Sequence, residues 1–246
     1  MDVVVVLKNI STGDRDRRGW LAHCSAALVV LACAATTPVL AKALPALASA
    51  TGTAGTAEIT KTTILVVGDS LSAEYGLVRG RGWVALLQAR LAQKKIAANV
   101  VNASISGDTT SGGRSRLASL LAQHKPTLVI LELGANDALR GLPLDMTRSN
   151  LVGMAQAATA TGAKVLVIGM QVPPNYGRKY SDQFVELFSS VAKSEGTALV
   201  PFMLKGVADG ANATAMFQAD RLHPREAAHP IILNNIWPAL ERLLPR

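Results

Sequence analysis

From about residue 61 onward, short apolar runs alternate with stretches of helical spacing. Ile64-Leu65-Val66-Val67 is rich in β-branched residues and ends at Gly68-Asp69, the pattern of a buried strand. Trp83, Leu86, Leu87, Arg90 and Leu91 then recur at the interval of one helix face. Val100-Val101 predicts a second strand, and Leu117, Leu120 and Leu121 a helix stopped before Pro126. Thr127 to Leu133 predicts a third strand, followed by a helix over 145–161 that ends near Gly162. Lys164 to Ile168 reads as the fourth strand, and Phe184, Leu187, Phe188 and Val191 as a helix ending near Gly196. Ala198-Leu199-Val200 is the fifth strand, and a last helix runs from Glu226 to Leu243.

This alternation predicts an α/β fold, a single three-layer α/β/α domain around a parallel sheet of about five strands. The unbroken apolar runs fit strands covered on both faces. In such folds ligands bind beyond the carboxyl ends of the strands. The loops after the first three strands therefore matter most. They contain Gly68-Asp69-Ser70-Leu71-Ser72, then Ser106-Gly107-Asp108-Thr109-Thr110, then Gly134-Ala135-Asn136-Asp137.

The N-terminal quarter follows another pattern. Arg15, Arg17 and Arg18 precede an apolar stretch from Trp20 to Ala35, and Val39-Leu40-Ala41 offers small residues for a peptidase. Residues 1–41 read as a secretory signal with a long leading region, which predicts a periplasmic or secreted protein. Lipoprotein processing at Cys33 ranks below it, because Leu31 is untypical of that signal. Residues 42–60, rich in Ala, Thr and Gly, read as a linker, leaving 61–246 as the folded domain.

Composition narrows the classes. Of 246 residues, 49% are hydrophobic and 17% charged, too apolar for a disordered chain. The only cysteines are Cys24 and Cys33, so the predicted domain has no disulfide and no cysteine zinc site. The net charge of +8 suits anionic substrates or weak association with a membrane surface. Without an arginine-rich tract or basic run interleaved with aromatics, nucleic acid is not an expected partner.

Ser70 follows a strand directly and is predicted to open a helix, where N–H groups favour developing negative charge. Gly107 lets a backbone N–H approach a ligand, and Asn136 brings an amide donor. Ser70, Gly107 and Asn136 together make a candidate oxyanion hole. A serine nucleophile needs a base and an orienting group. His223 lies three residues after Asp220, in Asp220-Arg221-Leu222-His223-Pro224, and is the candidate base with Asp220 as orienter. His124 reads as a helix end and His229 as a packing or surface residue within the last helix. Asp69 reads as a turn residue, Asp108 and Asp137 as loop braces, and Ser72, Ser104 and Ser106 as structural. Leu71, Leu139, Leu142, Pro143, Pro173 and Tyr176 are candidates to floor an acyl-chain groove.

Gly68-Asp69-Ser70-Leu71-Ser72, Asn102 to Thr109, Glu132 to Asp137 and Asp220 to Pro224 resemble, in order, the four blocks of the SGNH (GDSL) hydrolases. Pro173 to Tyr180 is similar to a loop of their bacterial periplasmic thioesterase I/lysophospholipase L1/arylesterase branch. The resemblance runs from about Thr62 to Leu243. It implies a flavodoxin-like SGNH fold and a serine esterase or thioesterase, with Ser70, Asp220 and His223 catalytic and no cofactor or metal. The implied partner is a small acyl ester or thioester, lysophospholipids included. Where the branch usually carries Gly, this chain has Ala135, whose methyl narrows the pocket.

Other readings are weaker. The Gly-rich segment after Gly107 lacks the Lys and Ser/Thr of a phosphate loop. Gly80-Arg81-Gly82 lies too far past the first strand for a dinucleotide fingerprint, and no Gly-x-Ser-x-Gly occurs. A deacetylase acting on acetylated saccharides or cell-wall glycan is the alternative within the family. A non-catalytic flavodoxin-like anion-binding domain is the alternative outside it.

Overall fold

The structure is a computed structural model and describes residues 62–245. The expected signal, linker and Cys33 lie outside the described residues. Five strands form one parallel sheet: β1 (Thr62–Gly68), β2 (Ala98–Asn102), β3 (Leu128–Glu132), β4 (Lys164–Ile168) and β5 (Ala198–Val200). Their order across the sheet is β2-β1-β3-β4-β5, every neighbour pair parallel. All five fall where the apolar runs predict them.

Between and after the strands lie α1 (Trp83–Gln93), α2 (Thr110–His124), α3 (Ala135–Leu139), α4 (Leu144–Ala160), α5 (Arg178–Glu195), α6 (Ala213–Met216) and α7 (His229–Glu241). α1 packs with α7, while α2, α4 and α5 pack side by side. Right-handed crossovers place these two groups on opposite faces of the sheet. The core is the aliphatic side chains of β1, β3 and β4 together with Trp83, Leu87, Leu117, Leu151, Phe184, Phe188 and Ile236. Truncating one such leucine to alanine costs about 2–5 kcal/mol, because close packing refills the void only in part.

The helix ends follow from local chemistry. Thr109 caps α2 by accepting from the Gly112 N–H at 3.3 Å. α2 ends at His124 as expected, although the left-handed cap residue is Lys125. α5 buries Phe184, Leu187, Phe188 and Val191 and stops at left-handed Gly196.

Two expectations are corrected, and two short helices are added. The chain after β1 forms successive turns rather than a helix, and the next helix starts only at Trp83. The last helix is split into a 3-10 turn over Glu226–Ala228 and α7, which ends at Glu241. The short α3 and α6 have no counterpart in the sequence pattern, since four or five residues are too few to show a helical period.

β1 lies between β2 and β3, so the chain leaves it once to each side. That reversal opens a crevice at the carboxyl ends of these strands. The loops carrying Ser70, Gly107 and Asn136 all border it.

Candidate active site

The turn holding Ser70 is organised by Asp69. Its carbonyl accepts from Ala73 N–H at 2.9 Å, and its Oδ1 accepts from Leu71 N–H at 3.0 Å. A side chain at Gly68 would meet Glu132 Oε2 at 2.7 Å and Ser72 Oγ at 2.8 Å, so this approach needs glycine. Ser70 is half-buried at the mouth of the crevice.

His223 reaches Ser70 from the other end of the chain. Its Nε2 lies 2.9 Å from Ser70 Oγ, and its Nδ1 lies 2.7 Å from Asp220 Oδ2. An ionised Asp220 accepts a hydrogen bond from Nδ1–H, which leaves the Nε2 lone pair facing the serine hydroxyl. The other Asp220 oxygen accepts from the N–H groups of Leu222 at 2.9 Å and His223 at 3.0 Å. The His223 hydrogen bond, then these two N–H groups, hold the Asp220 carboxyl down at about 2. Between the two, Arg221 adopts φ 59°, a left-handed conformation costly for a side-chain-bearing residue.

Two tethers hold this loop against the Ser70 turn. Gln218 donates from Nε2 to the Tyr75 carbonyl at 2.9 Å and the Pro224 carbonyl at 3.2 Å, and its N–H donates to the His223 carbonyl at 2.8 Å. The Tyr75 ring lies against the imidazole of His223. Neither Gln218 nor Tyr75 stands out in the sequence, because neither belongs to a recognisable block.

The candidate oxyanion donors lie on adjoining loops, with Asn136 bonded to the neighbours of both Ser70 and Gly107. Gly107 has φ 78°, and its carbonyl accepts from Arg140 Nη2 at 2.6 Å. Among the described residues the N–H groups of Ser70 and Gly107 have no protein acceptor. Asn136, in the first turn of α3, donates from Nδ2 to Asp69 Oδ2 and to the Asp108 carbonyl, both at 3.0 Å. A bound oxyanion would take over one of those two bonds.

Asp108 and Asp137 brace the loops, as expected. Asp108 pairs with Arg116, whose Nη2 lies 2.8 Å from Oδ2. Asp137 is buried and accepts from Thr110 and Thr147. Ser72 is buried too, and its hydroxyl donates to Glu132 Oε2 at 2.7 Å. His229 begins α7, buried, with Nδ1 accepting from Trp83 N–H at 3.0 Å. Burial pushes its pKa down and keeps it neutral.

The candidate groove residues divide. Leu139 is exposed at the end of α3, and Leu142 and Pro143 follow it on the loop to α4. Pro173 is exposed, and Tyr176 stacks on Tyr180 with ring centroids 6.0 Å apart. Leu71 is packed into the core and presents almost no surface to a ligand. Among the described residues no group of three or more His, Cys, Asp or Glu could hold a metal, and no helix is long and apolar enough to cross a membrane.

A parallel α/β fold with a Ser–His–Asp chain at its strand ends defines a hydrolase of the serine type. The chain belongs to the GDSL-like lipase/acylhydrolase family, whose model matches residues 66–231. It is 54% identical over 182 residues to the esterase TesA of Pseudomonas aeruginosa, covering 74% of this chain and 89% of that protein. It is 38% identical over 182 residues to thioesterase 1/protease 1/lysophospholipase L1 of Escherichia coli K12, covering 74% and 85%. The crystal structure of TesA superposes with a TM-score of 0.72 at 54% identity, covering 74% of this chain and all of that one. The chain is accordingly a serine hydrolase of ester bonds.

Proposed function

We propose that the protein hydrolyses acyl esters and thioesters, lysophospholipids among them, through an acyl-enzyme on Ser70. The 2.9 Å approach of His223 Nε2 to Ser70 Oγ carries this reading. His223 takes the hydroxyl proton as Ser70 Oγ attacks the acyl carbonyl. Negative charge passes to the carbonyl oxygen, which the N–H groups of Ser70 and Gly107 and the Asn136 amide receive. Collapse breaks the bond to the alcohol or thiol, which leaves with the proton held by His223. Water then adds by the same route and releases the acid and a free Ser70. Asp220 stays ionised throughout and keeps the imidazole in the productive tautomer.

Labelling with a fluorophosphonate tests the nucleophile. Ser70 is expected to carry the adduct, and Ser70→Ala to abolish it. An adduct on another residue of the Ser70→Ala protein would overturn the assignment. A matched kinetic panel of aryl esters, acyl-CoA thioesters, lysophospholipids and acetylated saccharides then ranks the substrates.

Residues 1–41 as an export signal, 42–60 as a linker and 61–246 as the enzyme complete the proposal, with the periplasm or the exterior as destination. Weak association with a lipid surface belongs to the same reading. Among the described residues, the exposed large apolar side chains include Tyr75 against His223, Leu222 beside it in the loop and Leu139 at the end of α3.

A further inference from the structure

Two buried carboxyl groups lie behind Ser70, and the reaction above uses neither directly. Glu132 is the last residue of β3, opposite Gly68 in the register, and is completely buried. Its Oε2 accepts from the Ser72 hydroxyl at 2.7 Å and from Asp69 N–H at 3.3 Å. Its Oε1 is buried without a partner. Ser72 Oγ in turn accepts from Trp83 Nε1–H at 3.2 Å. Asp69, only 1% exposed, accepts from Leu71 N–H and from the Asn136 amide.

Among the described residues no lysine or arginine forms an ion pair with either carboxyl. Two buried carboxylates with no lysine or arginine paired to either do not both ionise, and the nearby His223 favours charge on Asp69 rather than on Glu132. The hydrogen bonds decide which one holds the proton. Asp69 has a donor on each oxygen, whereas Glu132 has an oxygen with none. The charge therefore resides on Asp69 and the proton on Glu132. Burial and then the Asp69 charge push the Glu132 carboxyl well above its usual range, whereas Asp69 is raised only to about 6.

We propose that Glu132 is a positioning residue: as a neutral acid beside the Asp69 carboxylate, it holds the Ser70 turn on the end of β3 through Ser72 and the Asp69 N–H and, through Asp69, aims the Asn136 amide. The proposal rests on the reading of Ser70 and Asn136 given above. It adds a proton that must stay in place while the enzyme works. Ionising Glu132 would set a second negative charge beside the first and push Asp69 away from Asn136.

Infrared spectroscopy of the whole protein at neutral pH tests the proton directly. A carbonyl stretch of a protonated carboxylic acid, sensitive to D2O, is expected in the parent and absent in Glu132→Gln. No such band, or one that survives in Glu132→Gln, overturns the proposal. Kinetics test the positioning. Glu132→Ala should lower kcat by about ten-fold or more with KM little changed, the cost of about one or two buried hydrogen bonds. Glu132→Gln, which mimics the neutral acid, should rescue most of that loss and hold its kcat to higher pH than the parent. A glutamine variant as impaired as the alanine one, at equal melting temperature, overturns it as well. The infrared arm needs no turnover, so it stands or falls separately from the assignment of Ser70.

Discussion

The ring of Tyr75 lies 4.3 Å from that of His223, centroid to centroid, tilted by 39°. Tyr75 is half exposed, and His223 sits on a loop that is largely exposed around it. The contact braces the imidazole on a side where the core does not reach. Tyr75→Ala is expected to lower kcat/KM by roughly three- to ten-fold, the worth of an aromatic pair. Tyr75→Phe keeps the ring and should stay near the parent value. Steady-state kinetics on a soluble aryl ester decide it, and an alanine variant at full activity would remove the brace.

Asn136→Ala takes away an oxyanion donor and leaves the substrate's other contacts. The expected loss is about 10²–10³ in kcat, about 3–4 kcal/mol, with little change in KM. A rise in KM at constant kcat would instead assign Asn136 to ground-state binding.

Asp220→Asn leaves the shape of the loop but favours the wrong imidazole tautomer. A fall in kcat of roughly 10⁴ is expected. In the parent, with its carboxyl held at about 2, Asp220 stays ionised across mildly acidic pH. Its contribution to folding is in place above the unfolded value of 3.8 and fades as pH falls through about 2. Protonation of Asp220 therefore is not what removes activity at mildly acidic pH. An Asp220→Asn enzyme whose kcat stays within roughly ten-fold of the parent's would contradict the orienting role.

The Asp69–Glu132 pair acts on stability in the opposite sense. A carboxyl raised by burial favours the fold most when protonated, below its unfolded value. That benefit shrinks as pH rises through about 6 for Asp69, and at higher pH for Glu132. Thermal melts from mildly acid to alkaline pH should show the parent losing stability toward the alkaline end. Glu132→Gln should flatten the alkaline part of that curve. Parallel curves for the two proteins would contradict the assignment.

Leu139, exposed one helical turn beyond Asn136, is the candidate on which the proposed acyl groove can be tested. Activity should change with acyl length from two to about twelve carbons, because each buried methylene is worth about 0.8 kcal/mol. Leu139→Ser should flatten that dependence for the longer chains. Equal rates across the whole parent series would count against any groove on this rim.

The strands and long helices were legible because each is written in local spacing. Ile64 to Val67 and Val165 to Ile168 are apolar runs that need water excluded on both faces, whatever surrounds them. Ser70, Gly107, Asn136, Asp220 and His223 were legible through short blocks whose order matches the succession of strands. The turn after Gly68 is not the helix start that its sequence predicts, since its shape follows from Asp69 hydrogen bonds and from Glu132 across the sheet. Tyr75, Gln218 and the Trp83–Ser72–Glu132 chain had no local signal at all. Their partners lie far off in the chain, 60 positions for Ser72 and Glu132 and 143 for Gln218 and Tyr75. Such pairs meet only after the sheet has set its register. Periodicity records which face of an element avoids water, whereas the distance between two loop side chains depends on how every strand between them is stacked.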